Sequence, residues 1–147
     1  MKKGFTLIEL LVVISIIALL SSIATASLNN ARTKAKKAKE SADLRQIITQ
    51  IEIKRDELNK PLVDITLNGC SACSCWSGNQ ASAGCASVMT TTMTNIGLPS
   101  VLRNPWGYPY YMDENELEGG SCGARDNLYS FDGTTTTGVS IPFYRCQ

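Results

Sequence analysis

The chain has no histidine among its 147 residues, which removes the side chain most often used as a general base near neutral pH. Its serines and threonines have no identifiable activating base, and no phosphate-cradling glycine motif is present. These absences argue against an enzyme, and no catalytic residue is expected. Proline is missing from everything before Pro61, so nothing in the first part of the chain forces a helix to break. Charge is missing from Leu10 to Ala31. A run of roughly 20 such residues is enough for a helix to cross a bilayer.

What precedes that run is more specific. Met1-Lys2-Lys3-Gly4-Phe5-Thr6-Leu7-Ile8-Glu9 places two lysines, a glycine and a phenylalanine ahead of the apolar segment, with a single carboxylate at its edge. An unpaired ionised group at a membrane span is costly and marks a functional site. A secretory signal peptide shares the basic start, and Ala24, Ala26 and Ser27 imitate its cleavage site, but its apolar core is only about 7 to 15 residues. A plain single-span anchor explains the length and leaves Glu9 without a reason. The arrangement closely resembles the class III leader of type IV pilins and type II secretion pseudopilins.

That resemblance implies a cut by prepilin peptidase between Gly4 and Phe5, N-methylation of Phe5, and a role for Glu9 in filament assembly. It implies partners as well: further copies of the chain in a helical filament, and an inner-membrane assembly platform. Cleavage frees an α-amine on Phe5, and a cation beside a carboxylate offsets part of the desolvation each would bear alone. The expectation is that Glu9 pairs with the Phe5 amine of a neighbouring subunit and sets axial register. Many pilins carry a proline 21 residues after the mature start; here that position is Ala26. A straighter helix is expected in consequence.

Charge is unevenly shared. Residues 1–60 hold 11 basic and 6 acidic side chains, while residues 61–147 hold 3 and 7, so a basic stalk carries an acidic head. Lys2 and Lys3 favour a cytoplasmic N-terminus, whereas Arg32, Lys34, Lys36, Lys37 and Lys39 beyond the span argue the other way. Cysteine usage decides for an extracytoplasmic head. The basic run after the span also raises nucleic-acid binding, but its lysines recur around a helix with no aromatic side chain nearby for base stacking. It reads as a solvated helical neck, and nucleic acid is not expected as a partner.

Leu44, Ile47, Ile48, Ile51, Arg55 and Leu58 recur at helical spacing, so the helix is expected to continue to Asn59 with one stripe packed on a sheet. From Phe5 that is about 80 Å at 1.5 Å per residue. The expected divisions are a leader over 1–4, a transmembrane and filament-core helix over 5–31, an amphipathic continuation over 32–60, and a cysteine-rich head over 61–147. The fold class expected is α+β: a pilin-like ladle in which a long N-terminal helix packs on a small antiparallel sheet with disulfide-stapled loops.

All six cysteines, Cys70, Cys73, Cys75, Cys85, Cys122 and Cys146, follow the span. An even count in an exported segment reads as up to three disulfides, in any of 15 pairings. The crowded Cys70-Ser-Ala-Cys73-Ser-Cys75 cluster also suggests zinc, but with no histidine in the chain disulfides are the preferred use. Residues 86–96 suggest a short helix ending at Gly97, and strands are expected near 108–112, 127–131 and 139–143. Tyr110, Leu128, Phe131 and Ile141 are expected to face the long helix.

The stretch Asn104-Pro-Trp-Gly-Tyr-Pro-Tyr-Tyr111, with Asn127-Leu-Tyr-Ser-Phe131 and Asp132-Gly133, resembles the head of major pseudopilins, departing from it at Asn104 and Tyr108. Residues 62–103 have no counterpart. The resemblance implies calcium in the loops between strands, where Asp113, Glu114, Glu116, Glu118, Asp126 and Asp132 offer oxygens. Two residues usual between Phe131 and Asp132 are missing, so the acids are read as a solvated loop without a cofactor, and Asp126 and Asp132 are the calcium candidates.

The function expected is a structural subunit that polymerises into a type IV pilus or a type II secretion pseudopilus. Its location is the membrane, as a single-pass protein, before assembly; afterwards it is a cell-surface or periplasm-spanning filament. Two other readings stay open: a minor or tip pilin acting as a binding module for adhesion or DNA uptake, and a membrane-anchored secreted domain that never polymerises.

Overall fold

The computed structural model of the chain describes residues 4–68, 70–76, 78–99, 102–117, 120 and 122–146. The elements are helix α1 (Leu7–Leu58), helix α2 (Leu62–Thr66), two 3₁₀ turns (Ser71–Ser74 and Asn79–Ala81), helix α3 (Ala83–Asn95), and strands β1 (Tyr111–Asp113), β2 (Asn127–Phe131) and β3 (Thr136–Ser140). This is an α+β, pilin-like arrangement of a long apolar N-terminal helix, a small antiparallel sheet and three disulfides. The chain divides into two compact units, Met1–Lys37 and Ala38–Gln147.

In the first unit α1 is long and apolar enough to cross a membrane, and none of its most apolar window is buried. Three of its hydroxyls are satisfied within the helix: Ser15 donates to the Leu11 carbonyl, Ser22 to Leu19 and Thr25 to Ser21, each at 2.8 Å. A lipid-facing polar group needs such an internal partner, because hydrocarbon offers none.

The second unit is built on the continuation of α1. Leu44, Ile47 and Ile51 are buried with Leu62 and Ile65 of α2, Met93 of α3, and Ile96, Tyr110, Met112, Leu128 and Ile141. Each fully buried aliphatic side chain contributes roughly 1.5–3 kcal/mol. Ile48 packs at the edge of this core, while Leu58 is 44% exposed, so the apolar stripe ends one turn earlier than its spacing suggests. Asn59 terminates α1 at φ +52°, a left-handed conformation that asparagine tolerates, and Pro61 follows.

Strands β1, β2 and β3 form an antiparallel meander in that order. Tyr111 pairs with Tyr129, Leu128 with Val139, and Phe131 with Thr136. Strand β1 begins later than expected: residues 104–107 form a tight turn and Pro109 makes only an isolated bridge to Arg103, because proline cannot donate to a ladder. Strand β3 begins three residues earlier than expected and ends at Ser140, just before Ile141-Pro142. Phe131 does not face α1. It lies an odd number of residues from Leu128, so the alternation of the strand sends it to the opposite face, where it packs against Ala72, Cys75, Cys85, Met89 and Tyr111.

Helix α3 starts earlier than expected because Ser82 caps it, its hydroxyl accepting the Cys85 N–H at 3.1 Å. It stops before Gly97, which sits at φ +84°.

Asn104 uses both the carbonyl and the NH₂ of its side chain. Its side-chain carbonyl accepts the N–H groups of Trp106 and Tyr108, both at 3.0 Å, and its amide donates to Ser130 Oγ at 3.0 Å and the Phe131 carbonyl at 2.6 Å. An aspartate has no donors for the last two contacts. The amide therefore pins the Asn104–Tyr108 turn to β2.

Candidate functional site

At the N-terminus, Thr6 and Glu9 form a reciprocal cap on α1. The Glu9 carboxylate accepts the Thr6 N–H at 2.8 Å and the Thr6 hydroxyl at 2.7 Å, and the Thr6 hydroxyl in turn accepts the Glu9 N–H at 3.4 Å. This is a capping box, and its Thr-x-x-Glu spacing was visible in the sequence. The same carboxylate shares a shallow apolar concavity with Phe5, Ile8, Val12 and Val13. These positions recur every three or four residues, which is the spacing of one helix face. Gly4 is not needed for the fold: a Cβ there meets nothing within 4 Å.

Residues 1–25 match the prokaryotic N-terminal methylation motif. The chain carries a class III prepilin leader. The motif supports a type IV pilin-like precursor, and the leader implies processing by a prepilin peptidase and association with a membrane. No curated protein and no solved structure matches the chain.

The head of this precursor pairs its six cysteines as Cys70–Cys73, Cys75–Cys85 and Cys122–Cys146. The thiolates that suggested zinc are thus committed to bridges. Cys75 and Cys85 are fully buried beneath Met89 and Tyr111. Cys122–Cys146 ties the C-terminal segment across a separation of 24 residues.

Three of the acidic residues of the head do not lie in a solvated loop. Glu114, Glu116 and Asp126 are all at most 1% exposed, and they go to different places. Asp126 pairs with the guanidinium of Arg55, itself 2% exposed, and its other oxygen accepts the Glu116 N–H at 2.7 Å. Glu116 lies 3.4 Å from the same guanidinium and accepts three main-chain N–H groups from Tyr144, Arg145 and Cys146 at 2.6–3.0 Å. Burial opposes its ionisation, but those three donors and Arg55 together hold its pKa below the ordinary value. Arg55 also donates to the Pro142 carbonyl at 2.9 Å, and the Tyr144 hydroxyl returns a bond to the Arg55 carbonyl at 2.9 Å. One arginine of α1 thereby anchors the loop before β2 and the C-terminal segment.

Glu114 has a different setting. Its carboxylate accepts the Ser71 N–H at 2.8 Å and the Ser71 hydroxyl at 2.5 Å, holding the first 3₁₀ turn, and Ser71 Oγ lies 3.0 Å from Thr92 Oγ1 on α3. Burial outweighs these bonds and pushes the pKa from the ordinary 4.5 up to about 7. Because the folded value is raised, the native state holds the extra proton between these two values. This contribution to stability is full below pH 4.5 and is lost as pH rises through about 7. Glu114→Gln is expected to flatten the fall in melting temperature between pH 5 and 8. An unchanged slope in the variant would show that Glu114 does not titrate in this range.

The calcium candidates are not brought together. Asp126 is engaged by Arg55, and Asp132 closes the β2–β3 turn by accepting from the N–H groups and hydroxyls of Thr134 and Thr135 at 2.7–2.8 Å. Glu118 lies outside the described residues. Among the described residues no group of three His, Cys, Asp or Glu side chains is placed to hold a metal ion.

Sequence reasoning missed the Arg55 cluster. Its one signal was a cation inside an otherwise apolar helical stripe.

Proposed function

We propose that the chain is a structural subunit that polymerises through α1 after cleavage between Gly4 and Phe5 and methylation of Phe5. The observation that carries this reading is the leader at residues 1–25, joined to an apolar helix surface left uncovered. Phe5, Leu7, Ile8 and the aliphatic residues through Leu28 are each at least 46% exposed. A surface of that kind requires lipid or other helices around it. Gly4, free of any steric demand from this chain, is then held for recognition by the peptidase. Anchored in the inner membrane with its head outside the cytoplasm, the precursor is handed to the assembly platform.

Glu9 is the assembly residue in this reading. Its carboxylate sits on the apolar concavity with Phe5, and in the precursor it is occupied by the cap on Thr6. Cleavage supplies a competing partner, the new amine of a neighbouring Phe5, and exchange of one for the other fixes axial register. Glu9→Val keeps the span and the cleavage junction. It is expected to give a protein that is inserted and cut normally but falls by at least about tenfold in the sheared filament fraction; normal filament yield would contradict the role given to Glu9.

A further inference from the structure

The face of the sheet turned away from α1 carries a pocket that the assembly reading leaves without a use. Trp76, Gly78, Gln80, Tyr111, Tyr129 and Thr136 line it, and it encloses about 250 Å³. Tyr111 and Tyr129, paired across β1 and β2, stack at 5.3 Å with their planes 24° apart, and Trp76 stands nearly perpendicular to Tyr129 at 5.8 Å. The result is an aromatic corner. The Tyr129 ring leans over Gly138, where a Cβ would come within 2.9 Å of it, so the glycine sets the ring's position. The Cys75–Cys85 bridge lies directly before Trp76 in the chain and spans the segment holding Gly78 and Gln80, fixing that wall of the pocket.

Trp76 remains 48% exposed although its neighbour Cys75 is fully buried. Leaving so large an apolar ring half in water forgoes burial that the fold has available. The side chains lining the pocket are uncharged, and burial together with the nearby Asp113 carboxylate raises the Tyr129 pKa. Gln80 is only 8% exposed, and the Tyr111 and Thr136 hydroxyls lie 3.3 Å apart. An aromatic wall with a few neutral groups that both donate and accept is matched by a ligand with an apolar C–H face and a rim of hydroxyls. A quaternary ammonium also suits aromatic walls, but it has no hydrogen bonds to exchange and would leave the amide and hydroxyls poorly satisfied. The volume suits one small ring rather than a drug-sized molecule.

We propose that this pocket binds one neutral pyranose ring, its C–H face against Trp76 and its hydroxyls on Gln80, Tyr111 and Thr136. The site is built from the head alone and is tested on the unassembled chain, so its failure leaves the assembly reading untouched. Saturation-transfer NMR on the unassembled full chain, in a detergent carrying neither sugar nor choline, is the experiment. The probes are methyl β-galactoside, methyl α-mannoside and N-acetylglucosamine, with choline and a proline-rich peptide for comparison. Saturation of the ring protons of at least one sugar is expected, with affinity lost about tenfold or more in Trp76→Ala, roughly the removal of one 1.4 kcal/mol contact. Thr136→Val, on an exposed strand position, keeps the fold and is expected to weaken binding several-fold, so it decides the matter if Trp76→Ala does not fold. Absence of saturation for all three sugars, full binding by either folded variant, or saturation of choline or the peptide in place of the sugars would each overturn the proposal.

Discussion

Replacing Arg55 by methionine is expected to destabilise the head by about 3–5 kcal/mol, the range seen when one partner of a buried ion pair is removed. The loss comes from what stays behind. Glu116 and Asp126 are 0% and 1% exposed, and without the guanidinium they keep their main-chain donors but no opposite charge. Methionine fills much of the volume of the arginine stem, so cavity formation is a small part of the effect. For a unit of this size the change corresponds to a fall in melting temperature of roughly 15 °C or more, readable by circular dichroism. A triple variant, Arg55→Met with Glu116→Gln and Asp126→Asn, is expected to recover much of that loss. If Arg55→Met alone melts within about 3 °C of the parent, well under 1 kcal/mol, the cluster does not hold the head together as described.

Removing the Cys122–Cys146 bridge is the second large effect. A loop of this size is stabilised by about 3–4 kcal/mol on the chain-entropy account, and here the bridge also protects a specific contact. Cys146 is the last of three consecutive residues whose N–H groups close on Glu116. Freed from Cys122, the C-terminal segment is held by those bonds, by Pro142 and Tyr144 on Arg55, and by Arg145 on Asn59. Its departure opens Glu116 to water and weakens the Arg55 cluster with it. The double variant Cys122→Ser with Cys146→Ser is therefore expected to melt well below the parent. Its effect should not add to that of Arg55→Met, because both act on one network. Additivity within about 0.5 kcal/mol would show the two to be independent.

How far the molecule is legible from sequence depends on whether the signal is local. The apolar span, its proline stop and the leader are local, and so is the Ser82 cap of α3. The capping box at Thr6 and Glu9 is equally local and readable from spacing. Phe131 shows a finer limit: its aromatic character marks a strand, but which face it takes follows from parity with Leu128 and needs the register. Arg55 shows the larger limit. Its partners lie 61 and 71 residues further along the chain, and nothing in the spacing of α1 announces them. The acids seemed solvated because carboxylates usually are; a buried cation changes that only when the fold brings it to them. Asn104 is a middle case, since its difference from the pseudopilin pattern is visible while the two acceptors that require it, on β2, are not.

In the proposed function, cleavage within residues 1–25 makes this chain a filament subunit by exposing the amine of Phe5 beside an uncovered helix. Its most direct test is N-terminal sequencing and mass measurement of the chain recovered from surface filaments sheared off the cell and verified by electron microscopy. Filaments are expected to contain this chain, beginning at Phe5 with one methyl group on the terminal amine. A chain that still begins at Met1, or that stays wholly in the membrane fraction while filaments form without it, would rule out assembly through a processed Phe5.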